Sequence, residues 1–194
     1  AVSHAHPVTY EDGYMIQSMF REKMSKNSVL YSFHTNFAGG VEATRFELTL
    51  EEPVWALADL NLLVKKWNFP GAQANIYLMS GAGTVIREND EEFAAKAGIE
   101  VDYETREFYT LAQYRKYWSA DLEIDWYQYR IGFAPYVVGY EGLHTWAILQ
   151  FDYQPELHAN LQVTPLLRFF YKNVLWEVGG SLKGNIFFQF MVHM

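Results

Sequence analysis

The 194-residue sequence contains no cysteine, which removes disulfide scaffolds and thiolate-based zinc sites from consideration. It has no apolar run near the roughly 18 residues that a membrane-spanning helix needs, so helical spanning is excluded. Its 15 basic residues are outnumbered by 23 acidic ones and form no cluster, which argues against nucleic acid as a partner. It also lacks a phosphate-binding loop, a dinucleotide fingerprint, a zinc-hydrolase helix and a Gly-x-Ser-x-Gly elbow. No Pro/Gly/Ser-rich linker divides the chain, which therefore reads as one domain.

Aromatic side chains and alternation are what the chain has in abundance. Aromatics make up 18%, more than a core of this size requires. In "SVLYSFHTNF" Val29, Tyr31, Phe33 and Phe37 alternate with Ser28, Ser32, His34 and Asn36. "LHTWAILQFDY" and "LQVTPLLRFFY" repeat the pattern. Successive side chains of a strand point to opposite faces, so these are long strands with one apolar face. Turn signals such as "NFPG", "VGYEG", "QPE" and "SLKG" separate them. The count is twelve: 13–20, 28–37, 41–48, 54–67, 72–87, 97–103, 107–117, 125–138, 143–154, 158–171, 173–181 and 184–194. "GYMIQSMFREKM" and "LADLNLLVKKW" also carry helical spacing, and losing both would leave ten strands with an N-terminal helix.

Alternation alone fits both a lipid-facing barrel and a soluble one. Three features favour the membrane. The polar face mixes charges of both signs with glycines and aromatics, which suits a crowded interior. Aromatics gather near strand ends, where an interfacial girdle would sit. The final "GNIFFQFMVHM" places Ile186, Phe188, Phe190, Val192 and Met194 on one face, and this strand resembles the C-terminal assembly signal of Gram-negative outer-membrane β-barrel proteins, with Met in place of the usual Phe. The expected fold is all-β: an antiparallel up-and-down transmembrane β-barrel over 13–194, preceded by a periplasmic tail over 1–12. With the last strand ending in the periplasm, an even count gives short periplasmic turns and longer external loops, "IRENDEEFAAKA" among them. Ser3 and Ala5 form a small-x-small pair, so processing at His6 is a further expectation.

"LLVKKWNFPGAQANIYL", "RIGFAPYVVGYEGLHTW" and "TPLLRFFYKNVLWEVGGSL" resemble an uncharacterised family of small proteobacterial proteins, some of them encoded beside heavy-metal-handling genes. The resemblance covers about a third of the chain and implies a link to metals without supplying a catalytic motif.

Several residues carry candidate chemistry. His4 and His6 stand near Met15, Met19 and Met24, and imidazole with thioether suits copper, the thioether especially Cu(I). The alternative is a tail followed by ordinary apolar methionines. By parity His34, His144 and His193 face the lumen, as do Asp59, Lys65, Arg130, Asp152, Arg168 and Glu177. An unpaired buried charge is costly, so these charges should pair across the lumen into a plug-like network. Asp121, Glu123 and Asp125 invite comparison with the omptin proteases, but no second acidic pair followed closely by His appears. Three function classes stay open: a barrel that binds or passes a small solute or copper-type ion, a structural or partner-binding barrel set among outer-membrane lipid and other envelope proteins, and, ranked last, a rim enzyme of hydrolase or acyltransferase type.

Overall fold

The computed structural model describes residues 6–48, 51–88, 90–137, 139 and 142–194. His4 lies outside them. Twelve strands form one closed ring: β1 (Gly13–Arg21), β2 (Met24–His34), β3 (Phe37–Phe46), β4 (Val54–Phe69), β5 (Ala72–Ile86), β6 (Glu91–Thr105), β7 (Phe108–Trp118), β8 (Glu123–Phe133), β9 (His144–Tyr153), β10 (Gln162–Tyr171), β11 (Val174–Gly180) and β12 (Ile186–His193). Each pairs with its sequence neighbours, and β1 closes the ring on β12, Met15 lying opposite His193. This is the expected twelve-strand barrel. Neither stretch with helical spacing is a helix: Gly13–Arg21 and residues 57–62 are bonded on two sides, and burial selects period 2 over period 3.6.

The ladder runs further than periodicity indicated at β6, which begins at Glu91 rather than 97. "EEFAAKA" is rich in helix formers, yet Ala94 and Lys96 sit opposite Gly83 and Gly81 of β5 and are buried. The connection to β5 shrinks accordingly to 87–90. The end that holds Gly13 and His193, the terminal end, also carries connections 35–36, 70–71, 106–107, 134–143 and 172–173. At this end β3 stops opposite Leu62, so residues 64–69 of β4 pair only with β5 and leave an edge blunted by Lys65 and Lys66.

Polarity is inverted relative to a protein in water. Val41, Leu60, Leu78, Val101, Leu167, Phe188 and Phe190 point outward, whereas Lys26, Glu42, Asp59, Lys96, Glu100, Arg130, Asp152, Arg168 and Glu177 are buried within. Placed in water, that outer belt would leave most of the apolar surface wet while charges occupied the core; lipid reverses both penalties. Ile186, Phe188, Phe190 and Val192 of β12, and Met194 just after it, face out, and His193 faces in.

Candidate functional site: the barrel lumen

The inward-facing side chains fill the lumen in connected groups. On one wall Glu42 of β3 accepts from Lys96 Nζ (2.5 Å), the Tyr117 hydroxyl (2.8 Å) and Thr44 Oγ1 (2.9 Å), and Lys26 Nζ lies 2.9 Å away. Lys96 also donates to Asp59 at 2.7 Å. Glycines make room for this pair. Asp59 and Lys96 flank Gly81 on the same row, and a Cβ there would lie 2.6 Å from Asp59 Oδ1.

Opposite, Glu177 of β11 receives Arg168 Nε at 2.6 Å and Arg130 Nη1 at 3.1 Å to each carboxylate oxygen. The two guanidinium groups also lie over Tyr109 (4.6 Å) and Phe187 (5.9 Å) respectively. Towards the far end Asp152 accepts from Arg21 Nη1 (2.8 Å), Trp126 Nε1 (2.8 Å), Gln128 Nε2 (3.0 Å) and Gln150 Nε2 (2.5 Å). These are charge-assisted bonds between buried groups, the arrangement in which paired charges offset their desolvation.

Chain segments also enter both mouths. At the far end the 154–161 connection folds inward: Leu157 is buried in the main core cluster, and its carbonyl accepts from Lys23 Nζ at 2.9 Å. His158 beside it is buried, and that desolvation lowers its pKa from the ordinary 6.5. At the terminal end residues 6–9 lie inside the ring rather than beyond it. Asn61 Nδ2 donates to the Pro7 carbonyl (3.2 Å), the Thr9 amide donates to Ser32 Oγ (2.9 Å), and Val8 packs with Ala38 and Tyr77. His6 stacks on Tyr77 with centroids 5.5 Å apart, and its Nδ1 lies 3.5 Å from Asp102 Oδ2. Among the described residues the lumen holds a cavity of about 70 Å³ touching His6, Met19, Glu100, Gln113 and Arg115, and one of about 20 Å³ beside Arg21, Asp152 and His158.

Asp59, Arg130, Asp152, Arg168, Glu177 and His193 face inward and are buried, and His144 faces inward, half-buried against Phe170. Lys65 and His34 depart from the parity expectation, and a β-bulge explains each. The register slips between Leu63 and Lys65, turning Lys65 outward over Trp67 and putting Lys66 on the face of Asn75. It slips again between Tyr31 and His34, leaving His34 exposed at the turn, its Nδ1 accepting the Asn36 amide at 3.1 Å. A bulge adds one residue to one strand, so every later side chain changes face.

Met15, Met19 and Met24 are buried, Met15 and Met19 along the polar cavity and Met24 with its sulfur 3.8 Å from Gln154 Nε2. His6 lines the same cavity as Met15 and Met19, and its ring also meets Glu100 and Asp102. Met15 packs with Met191, whose sulfur lies 3.1 Å from His193 Nε2. The residues that sequence reading missed are Arg21, Lys26, Glu42, Lys96, Glu100, Asp102, Glu104 and Tyr117. Parity held their signal: Lys96, Glu100, Asp102 and Glu104 alternate with Ala97, Ile99, Val101 and Tyr103.

No protein-family model and no curated protein matches this sequence. Among solved structures the barrel is similar to a KdgM porin in complex with disordered oligogalacturonate, with TM-score 0.51 and 11% identity over 93% of this chain and 97% of that one. A second structure of the KdgM porin gives 0.49 and 11% over the same shares, and OccAB4 of Acinetobacter baumannii gives 0.44 and 10% over 92% and 55%. The first of these likenesses shows the fold. With the inverted polarity of the ring, it makes the chain an outer-membrane β-barrel of porin-like architecture.

Proposed function

We propose that this outer-membrane barrel is a closed one, a structural or partner-binding component of the envelope whose lumen is a core and not an open pore. The observation that carries this reading is the filling of the lumen at three levels: residues 6–9 at the terminal mouth, the ion-paired networks in the middle, and the 154–161 connection at the far mouth. In the same reading the terminal end faces the periplasm. The overhanging edge of β4, with Val64, Trp67 and Phe69 exposed, then stands where another envelope protein can reach it.

Reconstitution into planar bilayers tests the closed state. The full chain is expected to give no stable conductance steps, and steady channels in the full chain would overturn the reading. A second reading, binding or passage of a small solute or ion, is favoured by the polar cavity of about 70 Å³ and by the non-covalent seating of residues 6–9. It expects a variant lacking residues 1–9 to acquire steps that the full chain lacks.

A further inference from the structure

Glu100 and Asp102 stand two apart on β6, so both enter the lumen on one face, and His6 reaches them from the inserted segment. One ligand atom from each of the three residues lies within 4.8 Å of the other two. The carboxylates are held in place by their other contacts. Asp102 Oδ1 accepts from Asn75 Nδ2 at 2.8 Å, and Glu100 Oε2 accepts from Gln113 Nε2. Asp102 is 2% exposed, and its second oxygen, Oδ2, accepts no hydrogen bond among the described residues while facing His6 Nδ1 at 3.5 Å. A buried carboxylate oxygen left in that state carries a desolvation penalty that a cation would offset. The small cavity touches both His6 and Glu100, which leaves room for water at the remaining coordination positions.

We propose that His6, Glu100 and Asp102 form a site for one divalent first-row transition ion, which clips the N-terminal segment to β6. The donor set selects the ion. One imidazole nitrogen and two carboxylate oxygens are borderline-to-hard ligands suited to Zn²⁺ and its neighbours, and the thioethers that would favour Cu(I) are not among the three. Two carboxylates balance the charge of a 2+ ion. The Asn75 and Gln113 amides hold the ligands in orientation, as outer-shell partners do in protein metal sites. Because one ligand sits on the inserted segment and two on the wall, loading the ion ties 6–9 in place. This inference goes beyond the closed-barrel reading and stands whether or not the barrel conducts.

The test uses the full chain refolded in detergent, titrated with Zn²⁺ and followed by calorimetry, with metal content after dialysis read by mass spectrometry. One Zn²⁺ per chain is expected, with affinity at least tenfold weaker in His6→Ala and in the near-isosteric Asp102→Asn. His34→Ala and His4→Ala are expected to match the parent chain. Zinc should also slow proteolysis within residues 6–12 in the parent chain but not in Asp102→Asn. Absence of stoichiometric zinc overturns the proposal. So does loss of binding in His4→Ala with full retention in Asp102→Asn, which would mean chelation by the first residues alone.

Discussion

Glu177 has no exposed surface, and its carboxylate is shared by Arg130 and Arg168. Glu177→Gln keeps the shape and one acceptor oxygen but leaves two guanidinium groups facing an uncharged amide. Removing one partner of a buried pair costs about 3–5 kcal/mol. The aromatic faces of Tyr109 and Phe187 still receive the arginines, so the lower part of that range, about 3–4 kcal/mol, is expected. At about 1.4 kcal/mol per factor of ten, the folded-to-unfolded ratio falls more than a hundredfold. With a urea slope of about 2 kcal/mol/M the midpoint drops by roughly 1.5–2 M. The assay is urea titration of the barrel folded into phospholipid vesicles, followed by tryptophan emission and by heat-dependent gel mobility. Glu123→Gln is the comparison, because Glu123 pairs with Lys116 on the surface and screened pairs contribute little. Combining Glu177→Gln with Arg168→Met should cost less than the two single changes added together, since Arg168→Met removes one of the two guanidinium charges that Glu177→Gln leaves unpaired. Equal midpoints for Glu177→Gln and Glu123→Gln would refute the claim that the lumen network holds the barrel together.

Three further outcomes are expected. Phe190→Arg puts a charge into the lipid belt and should cost about 2–4 kcal/mol near its middle, measured by the same titration; no loss would contradict the outward assignment of the last strand. Gly81→Val drives a side chain into the Asp59–Lys96 pair and should cost about 1–3 kcal/mol, whereas an unchanged midpoint would mean that the row has slack. His158, with its folded pKa lowered by burial, contributes stability that is complete above its ordinary 6.5 and lost as pH falls below 6.5 towards the lowered value. Its NMR titration should therefore fall below 6.5, and a midpoint at or above 6.5 would contradict its burial.

Strand number, ring closure and the outward face of β12 were legible because each rests on a period of two sustained over many residues. The same rule located Asp59, Arg130, Asp152, Arg168 and Glu177 on the inner face. It failed at Lys65 and His34, where one inserted residue reverses the faces and leaves no mark in composition. It understated β6, where glycines on the neighbouring strand accept a segment that local propensity would make helical. Partner identity was beyond it. Glu42 meets Lys26, Lys96 and Tyr117 from three other strands, and Arg21 reaches Asp152 across the ring, because curvature rather than sequence distance sets those meetings. His6 shows the same limit: its nearness to Met15 and Met19 in sequence pointed to thioethers, which line the same cavity, but nothing in the spacing announced the β6 carboxylates that the inserted segment also brings it to.

The pairing of β1 with β12 has a kinetic consequence. The first strand obtains its second neighbour only when the last is available, so the ring cannot close progressively from its beginning. Until Ile186–His193 is made and docked, β1 keeps an open edge that any other extended chain can occupy. The closing contact also spans nearly the whole sequence, which makes its loop entropy among the largest in the molecule and the final step slow. A chain built this way has to be kept apart from its own copies between synthesis and insertion, and the order in which its strands are made does not dictate the order in which they become stable.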